Sequence, residues 1–399
     1  MTSATLPDVP AAQGIILALV PVMVVLAVVV PLPVIPAMID AFRTEPGVTL
    51  GISLAVTMPT LAIAVAGILL GIVGDRVPRR TLLVMGTASY ALLAPLPLWI
   101  HSLWLLIVSR FLLGLALGAM TVAAVGLVGD YFTGGRRAFW LSAQGSFPAA
   151  ATIAAALLSG WLGAYGWRAP FLILLAGIPL FAGMLLLRTP VLDNAVDDAA
   201  PAMVQGDSVI KWRPLAWIFF LTVLASFMMF AAAYEFGYVL VDHGVRSTAL
   251  IGLVTAILGA GAVLGALALT KLRRLVPEAQ LALCFLIGAA GQLTVALSGG
   301  AAGWMVGAAI IGLSQGAIVP VLSLWLLDYV DEQGRGRAVS LFQTTLYLSQ
   351  FGTPHLARYV AMTHGTATGG MLVYAMSLAG LAIVLGGYAV LGSRRGRSA

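Results

Sequence analysis

Apolar residues run in long blocks along this chain, each close to the roughly 20 residues that a helix needs to cross a bilayer, and polar residues collect in the short stretches between them. The pattern predicts spans near 13–38, 47–71, 81–100, 103–128, 138–163 and 169–188, and six more near 214–241, 247–270, 278–299, 302–327, 338–361 and 368–391. Between the two sets, Thr189-Pro190 opens a polar stretch carrying Asp193, Asp197, Asp198 and Asp207. The expected organisation is an N-terminal six-helix bundle over 1–188, a central linker over 189–213 and a C-terminal six-helix bundle over 214–399. Lipid satisfies no backbone group, so such a chain is expected to be all-α, with its backbone bonded within each helix.

Composition strengthens this reading. With 61% hydrophobic and 9% charged residues and a mean hydropathy of +1.03, the chain is too apolar for an ordinary water-soluble core. The bilayer is its expected partner. Of the 21 basic residues, sixteen fall on one side of the predicted topology: Arg76, Arg79, Arg80, Arg136, Arg137, Arg188, Lys211, Arg213, Lys271, Arg273, Arg274, Arg335, Arg337, Arg394, Arg395 and Arg397. Positive charge is retained on the cytoplasmic side, so that side, with the linker and both termini, is expected to be cytoplasmic. Arg43, Arg168, Arg246 and Arg358 fall on the other side, and Arg110 within a span.

Because these charges edge membrane loops instead of forming one basic stripe, no nucleic-acid partner is expected. Nineteen Arg against two Lys suggest a GC-rich bacterial genome, hence a bacterial inner membrane. The first twelve residues lack Lys and Arg and no small-residue cleavage site follows, so the first span is read as a permanent anchor. Cys284 stands alone in an apolar run and reads as a packing residue.

The sequence also repeats itself. Gly67, Gly71, Arg79 and Arg80 correspond to Gly261, Gly265, Arg273 and Arg274 at an offset of 194 residues. Gly114, Gly118, Asp130 and Tyr131 correspond to Gly312, Gly316, Asp328 and Tyr329 at an offset of 198, and Arg137-Ala138 to Arg337-Ala338 at 200. Two parallel repeats with a pathway between them are the logic of secondary transporters.

The stretch Gly71-Ile72-Val73-Gly74-Asp75-Arg76-Val77-Pro78-Arg79-Arg80 is a charged island between apolar runs. It resembles the loop signature of the major facilitator superfamily, with Pro78 where that family usually has Gly. Arg110-Phe-Leu-Leu-Gly114 resembles the family's fourth-helix motif, and the likeness extends over essentially the whole chain. The resemblance implies an alternating-access carrier with two six-helix bundles related by a pseudo-twofold axis. It also implies a latch in which Asp75, with Arg76 and its neighbours, bridges the bundles on the cytoplasmic face. Leu269 stands where the second repeat would carry the Asp, so such a latch is asymmetric. Arg79 and Arg80 are either partners for Asp130 or topology-setting charges, and Asp328, Glu332, Arg335 and Arg337 are either a second gate or a solvated loop.

Ionisable groups within spans are few and costly to bury. Arg110, ~10 Å into its helix at 1.5 Å per residue, is either a substrate or proton-coupling residue or a cap on backbone carbonyls. Glu235, in Ala233-Tyr234-Glu235-Phe236-Gly237-Tyr238, is the one acid well inside an apolar run, placed either to carry a proton or at the far interface. Asp40, after Pro31, Pro33 and Pro36, reads as an interfacial acid or an outer gate. Gln343, Tyr347, Gln350 and Pro354 share one helical face by their spacing. Gln144, Gln292 and Gln315 are intramembrane amides that join helices or touch solute, and the resemblance favours Gln315 for contact with solute.

The expected function is proton-coupled movement of a small organic solute, driven by the proton gradient with no cofactor, by a functional monomer. Export is the first reading, although Ala155-Ala156 occupy the place where the family's antiporters carry Gly-Pro. Import of an organic anion or metallophore is the alternative. An integral-membrane enzyme is a reading of another class, but His101, His243, His355 and His364 form no metal-ligand pair at helical spacing. No nucleotide-binding Gly-x4-Gly-Lys-Ser/Thr loop occurs, and the loops leave no room for the signalling domain of a transporter-like receptor.

Overall fold

The computed structural model describes residues 11–73, 77–187, 212–272, 274–331 and 334–395. Among them the chain is all-α. Its helices are α1 (Ala11–Val29), α2 (Ile35–Ala41), α3 (Val48–Val73), α4 (Arg79–Leu93), α5 (Leu103–Tyr131), α6 (Gly134–Leu162), α7 (Gly177–Leu185), α8 (Trp212–Asp242), α9 (Thr248–Leu272), α10 (Pro277–Leu297), α11 (Ala301–Leu327), α12 (Arg335–Thr363) and α13 (Ala367–Arg395). Most of the expected linker, 188–211, lies outside the described residues.

Ten helical stretches in the described residues are long and apolar enough to cross a membrane. Two of the expected spans differ from them in character. The run near 169–188 forms a 3-10 segment, Ala169–Ala176, followed by the short α7. Pro170 and Pro179 remove backbone donors there and interrupt a continuous helix. The run near 338–361 lies within the 29-residue α12, whose Ser, Thr, Gln and His residues make it markedly less apolar than its neighbours. Proline also breaks the first span, where Pro31 precedes and Pro33 lies within a 3-10 turn, Leu32–Val34, before α2.

The repeated glycines have a structural cause. The most extensive helix pairings are α9 with α11 and α3 with α5. A Cβ on Gly312 or Gly316 would fall onto the carbonyls of Leu258 and Ala262, and one on Gly261 or Gly265 onto those of Ala309 and Leu313. In the first repeat, Gly114 and Gly118 press in the same way against Pro59, Ala62, Ile63 and Ala66. Small residues let helix backbones approach closely where lipid provides no hydrophobic drive between helices. Gly67 is the exception, because a Cβ there would meet nothing within 4 Å.

Two clusters of buried apolar side chains result. One is built from α1 to α7 and their connections, joined by Tyr234 and Ala256, and the other lies within α8 to α13. They meet along two seams, α3 with α12 and α6 with α9. Both seams contain intimate contacts near one face of the bundle: Thr248 Oγ1 donates to the Gly160 carbonyl at 2.9 Å, and Thr57 Oγ1 lies 3.5 Å from His355 Nε2. This face also carries Asp40, Arg246 and the α8–α9 turn, and is called the loop-40 face below. The face carrying Arg79, Asp130 and the ends of α1 and α13 is the terminal face.

The glycine contacts generate a stability prediction. Gly316→Val is expected to cost about 1–3 kcal/mol or more through overpacking, read as a lower melting temperature of the detergent-purified protein. Gly67→Ala should leave melting unchanged or raise it, since Ala exceeds Gly by about 1 kcal/mol in a helix. Equal melting of Gly316→Val and wild type would remove close packing as the role of that glycine.

Candidate functional site

Charged residues at the terminal face are organised around α4 and α5. Arg79 Nη1 meets Asp130 Oδ1 at 2.6 Å, with the two side chains 37% and 23% exposed. Gly126, one turn before Asp130, leaves room for the Arg79 stem: a Cβ there would lie 2.7 Å from Arg79 Cδ. Arg137 lies along Gly129 on the same surface. Arg80 Nε donates to the Leu187 carbonyl at 3.2 Å and ties the start of α4 to the residues after α7. Gly71 is in the last turn of α3, while Asp75 and Arg76 lie outside the described residues. In the second repeat, Asp328 caps α11 and Arg337 is exposed in the first turn of α12. No ion pair joins these two.

The loop-40 face is held together differently. Asp40 Oδ2 and Arg246 Nη1 are 3.2 Å apart, connecting α2 with the turn before α9, and both side chains are well exposed. Asp242 Oδ2 accepts from the Ala367 backbone N–H at 2.8 Å, joining the end of α8 to the start of α13. Gly160 and Gly252 bring α6 and α9 into backbone contact, where a Cβ on Gly160 would lie 2.8 Å from Gly252 Cα.

Beneath the Asp40–Arg246 pair lies a cavity of about 330 Å³, lined by Pro33, Ala37, Asp40, Tyr238, Arg246 and Arg358 among others. The Arg358 guanidinium sits over the Tyr238 ring, 4.7 Å from its centroid, and its Nε has no hydrogen-bond partner. Glu235 precedes Tyr238 by one turn of α8. It is 1% exposed, and its Oε2 lacks a hydrogen-bond partner. The charges acting on it are those of Arg358 and Asp242, and the Tyr374 phenol on α13 in turn feels Glu235. Tyr374 donates to the Ala357 carbonyl at 2.9 Å and is thereby fixed beside α12. A buried polar group without a fixed partner is costly, and here the charge of a base acts on an acid with which it forms no ion pair.

Arg358 is the member of this group that the hydropathy reading assigned only to a membrane edge. The signal was present: Gln343, Tyr347, Gln350 and Pro354 continue by one more interval of four to Arg358. Along that face Gln343 is exposed, Tyr347, Gln350 and Arg358 are half-buried, and Pro354 is buried. Tyr347 also packs against the apolar cluster of the N-terminal helices.

The remaining sequence candidates lie elsewhere. Arg110 is 2% exposed and donates from Nη2 to the carbonyls of Leu93 and Ala94 at 3.3 and 2.9 Å. Its guanidinium lies over Phe171, 5.5 Å from the ring centroid. It therefore caps the end of α4 and does not line the cavity. Gln315 shares a small buried pocket with Gln292, Ser314 and Gly288, between α10, α11 and α13. Gln144 Nε2 donates to the Leu17 carbonyl at 3.1 Å and joins α6 to α1. Among the described residues no group of three or more His, Cys, Asp or Glu is arranged to hold a metal ion.

Comparison with known proteins agrees with this architecture. The family model of the Major Facilitator Superfamily matches residues 17–354. No curated protein matches the sequence. Among solved structures, the chain is similar to a D-xylose-proton symporter, with 13% identity, a TM-score of 0.72 and coverage of 94% of this chain and 97% of that one. It is also similar to a bacterial homolog of the human lysosomal transporter Spinster in an inward-facing and occupied conformation, at 16% identity and TM-score 0.70, covering 96% of each chain. A third is a POT family transporter in complex with a thioalcohol-conjugated peptide, at 12% identity and TM-score 0.72, covering 94% of this chain and 95% of that one.

The Asp40–Arg246 pair is exposed, so it contributes about 0–1 kcal/mol. Asp40→Asn is expected to leave melting nearly unchanged while raising, by up to about fivefold, the population in which the loop-40 face opens. Labelling of Thr49→Cys in a Cys284→Ala background with a membrane-impermeant maleimide reads this directly. Labelling that Asp40→Asn does not accelerate would show that the pair places no restraint on this face.

Proposed function

The chain belongs to the Major Facilitator Superfamily and is a multi-pass membrane protein that moves a small solute, not an enzyme; on that premise we propose that it is a proton-coupled secondary carrier working by alternating access. In this reading twelve spans form two six-helix bundles, 1–188 and 214–399, in a bacterial inner membrane. The 3-10 segment with α7 and the polar α12 supply the two spans beyond the ten apolar ones. The linker 189–213 and both termini are cytoplasmic, so the terminal face is the inner one, and the protein works as a monomer.

The observation that carries the proposal is the Glu235 carboxyl, almost fully buried yet without a partner for Oε2, one helical turn from Tyr238 in the wall of a cavity lined by both sets of helices. A carboxyl in that setting exchanges a proton more readily than it holds a lasting charge, and intramembrane acids of this kind mark proton pathways. Glu235 is the proton carrier. The solute pathway runs along the α12 face with Gln343 and Tyr347, and Asp40 closes its outer mouth. Gln315, within the second set of helices, acts from behind that pathway. Arg110 serves by fixing α4 against α5.

The inner gate comprises Gly71, Asp75, Arg76, Arg79, Arg80, Asp130, Arg137, Asp328 and Arg337. Support for its first part is the short Arg79–Asp130 pair. The contacts concentrated at the loop-40 face support an inward-facing state, with the outer mouth shut. Arg246 and Arg358 in the cavity wall favour an organic anion as the solute, which is the solute of the import reading.

In proteoliposomes, Glu235→Gln is expected to abolish the dependence of transport on the pH gradient while preserving solute exchange at equal pH. An unchanged pH response would remove Glu235 from the mechanism. Accumulation in whole cells that falls as expression rises would assign export instead.

A further inference from the structure

We infer that Arg358 is the seat for the single negative charge of a carboxylate-bearing monoanion, and that a proton taken up by Glu235 releases Arg358 to receive it. The inference rests on the proton-coupled carrier reading and adds to it the class of solute and the means of coupling.

Three observations converge on Arg358. It borders the cavity, its guanidinium is held in place over the Tyr238 ring, and its Nε lacks a partner. The other arginine of the wall, Arg246, already faces Asp40. A guanidinium presents a rigid fork of donors that matches the two oxygens of a carboxylate, and a site held flat against an aromatic ring keeps that fork oriented. Each group acting on Glu235 is accounted for. Arg358 faces it from α12, and Asp242 on its own helix is engaged with the Ala367 backbone N–H. The Tyr374 phenol from α13 is engaged with the Ala357 carbonyl, and Tyr238 beside it carries Arg358. Arg358 is thus the one cation of this group available to respond when Glu235 changes charge.

The charge balance of the cycle follows. With Glu235 ionised, the carboxylate and Arg358 sum to zero and offer an anion nothing. When a proton from the outer water binds the Glu235 carboxyl, Arg358 is left with an uncompensated positive charge that a monoanion cancels. The returning empty site and the loaded site are both neutral, so neither brings net charge into the low-dielectric interior, where charge is most costly. Proton and anion therefore travel together, one of each, and both leave on the inner side. A dianion or a cation leaves an unbalanced charge in the loaded site.

The test uses the purified full chain and, as probes, benzoate, lactate and gluconate with their uncharged amides and with benzylamine, binding being read by calorimetry at pH 5.5 and 8.5. At least one carboxylate is expected to bind about tenfold or more tightly at the lower pH, with neither amides nor amine bound. Glu235→Gln should hold the tight form at both pH values. Arg358→Gln should lose the carboxylate, and Arg358→Lys, which keeps the charge but not the fork, should bind it more weakly while melting like wild type. A failure of Arg358→Gln to fold leaves the Lys and Glu235→Gln arms decisive.

The inference is overturned if no carboxylate binds at either pH, if an amide or the amine binds as well, or if Arg358→Lys binds as wild type does. Movement of a solute down an imposed pH gradient in proteoliposomes, with no carboxylate bound, would leave the carrier reading intact and remove this one. Carboxylate binding that depends on Arg358, without any pH-driven movement, would keep the seat and remove proton-driven carriage.

Discussion

Taking a charge out of water into a membrane interior is the constraint on which this structure turns. The chain carries few charged residues and treats each buried one differently. Arg110 donates from Nη2 to backbone carbonyls at the end of α4 and lies over Phe171, which holds two helices together, while its Nε and Nη1 have no hydrogen-bond partner. Arg79 and Asp130 meet at the membrane edge, where water still reaches them. Among the described residues, Glu235 and Arg358 act on one another with opposite charge and form no ion pair. That residual imbalance gives this part of the molecule something to do besides fold.

Packing follows a second logic, set by where small residues let helix backbones meet. Within each set of helices, glycines bring backbones so close that a single added carbon would strike a carbonyl, as at Gly316 and Gly265. Such interfaces do not slide, because close-packed interiors have few intermediate arrangements. Between the sets, the seam of α6 with α9 is also closely packed where Gly160 meets Gly252, with the Thr248 hydroxyl donating to Gly160, whereas along the seam of α3 with α12 the Thr57 hydroxyl lies beside His355. A carrier that alternates between two openings needs firm halves and a line along which they part, and of the two seams the one between α3 and α12 is the less closely packed.

Much of this was legible in the chain. Apolar runs of spanning length located nearly every helix, and the glycine repeats marked the helix pairs that press together. The run at 169–188 was less accurate because hydropathy is blind to the donors that Pro170 and Pro179 remove, so a span of suitable composition begins as a 3-10 segment. The functional candidates divided along similar lines. Asp130 and Glu235 stood out because an acid in or beside an apolar run is rare. Arg110 stood out for the same reason, yet the nearness of the α4 carbonyls that occupy it depends on a crossing of α4 and α5 that no one-dimensional pattern contains. Arg358 went unmarked because an arginine near a span end ordinarily sits at the interface, and hydropathy cannot tell which way it turns.

The polarity of α12 ties these strands together. Its Ser, Thr, Gln and His residues lower its hydropathy below that of every long helix around it, and for a helix in lipid that is a loss unless the polar face is turned away from hydrocarbon. Gln343, Tyr347, Gln350, Pro354 and Arg358 occupy one such face, which extends ~22 Å at 1.5 Å per residue. Its exposure changes along the way, from open at Gln343 near the terminal face to half-buried at Arg358 beneath the Asp40–Arg246 pair. A polar track open at one end and shut at the other is what an inward-facing carrier requires of one helix. Because the seam with α3 lies along this same helix, opening the outer mouth changes what lies across from the track, while Arg358 and Glu235 stay together within the α8 to α13 set. In the proposed cycle, coupling between proton uptake and opening then needs no distant relay, since one helix carries both the seam and Arg358.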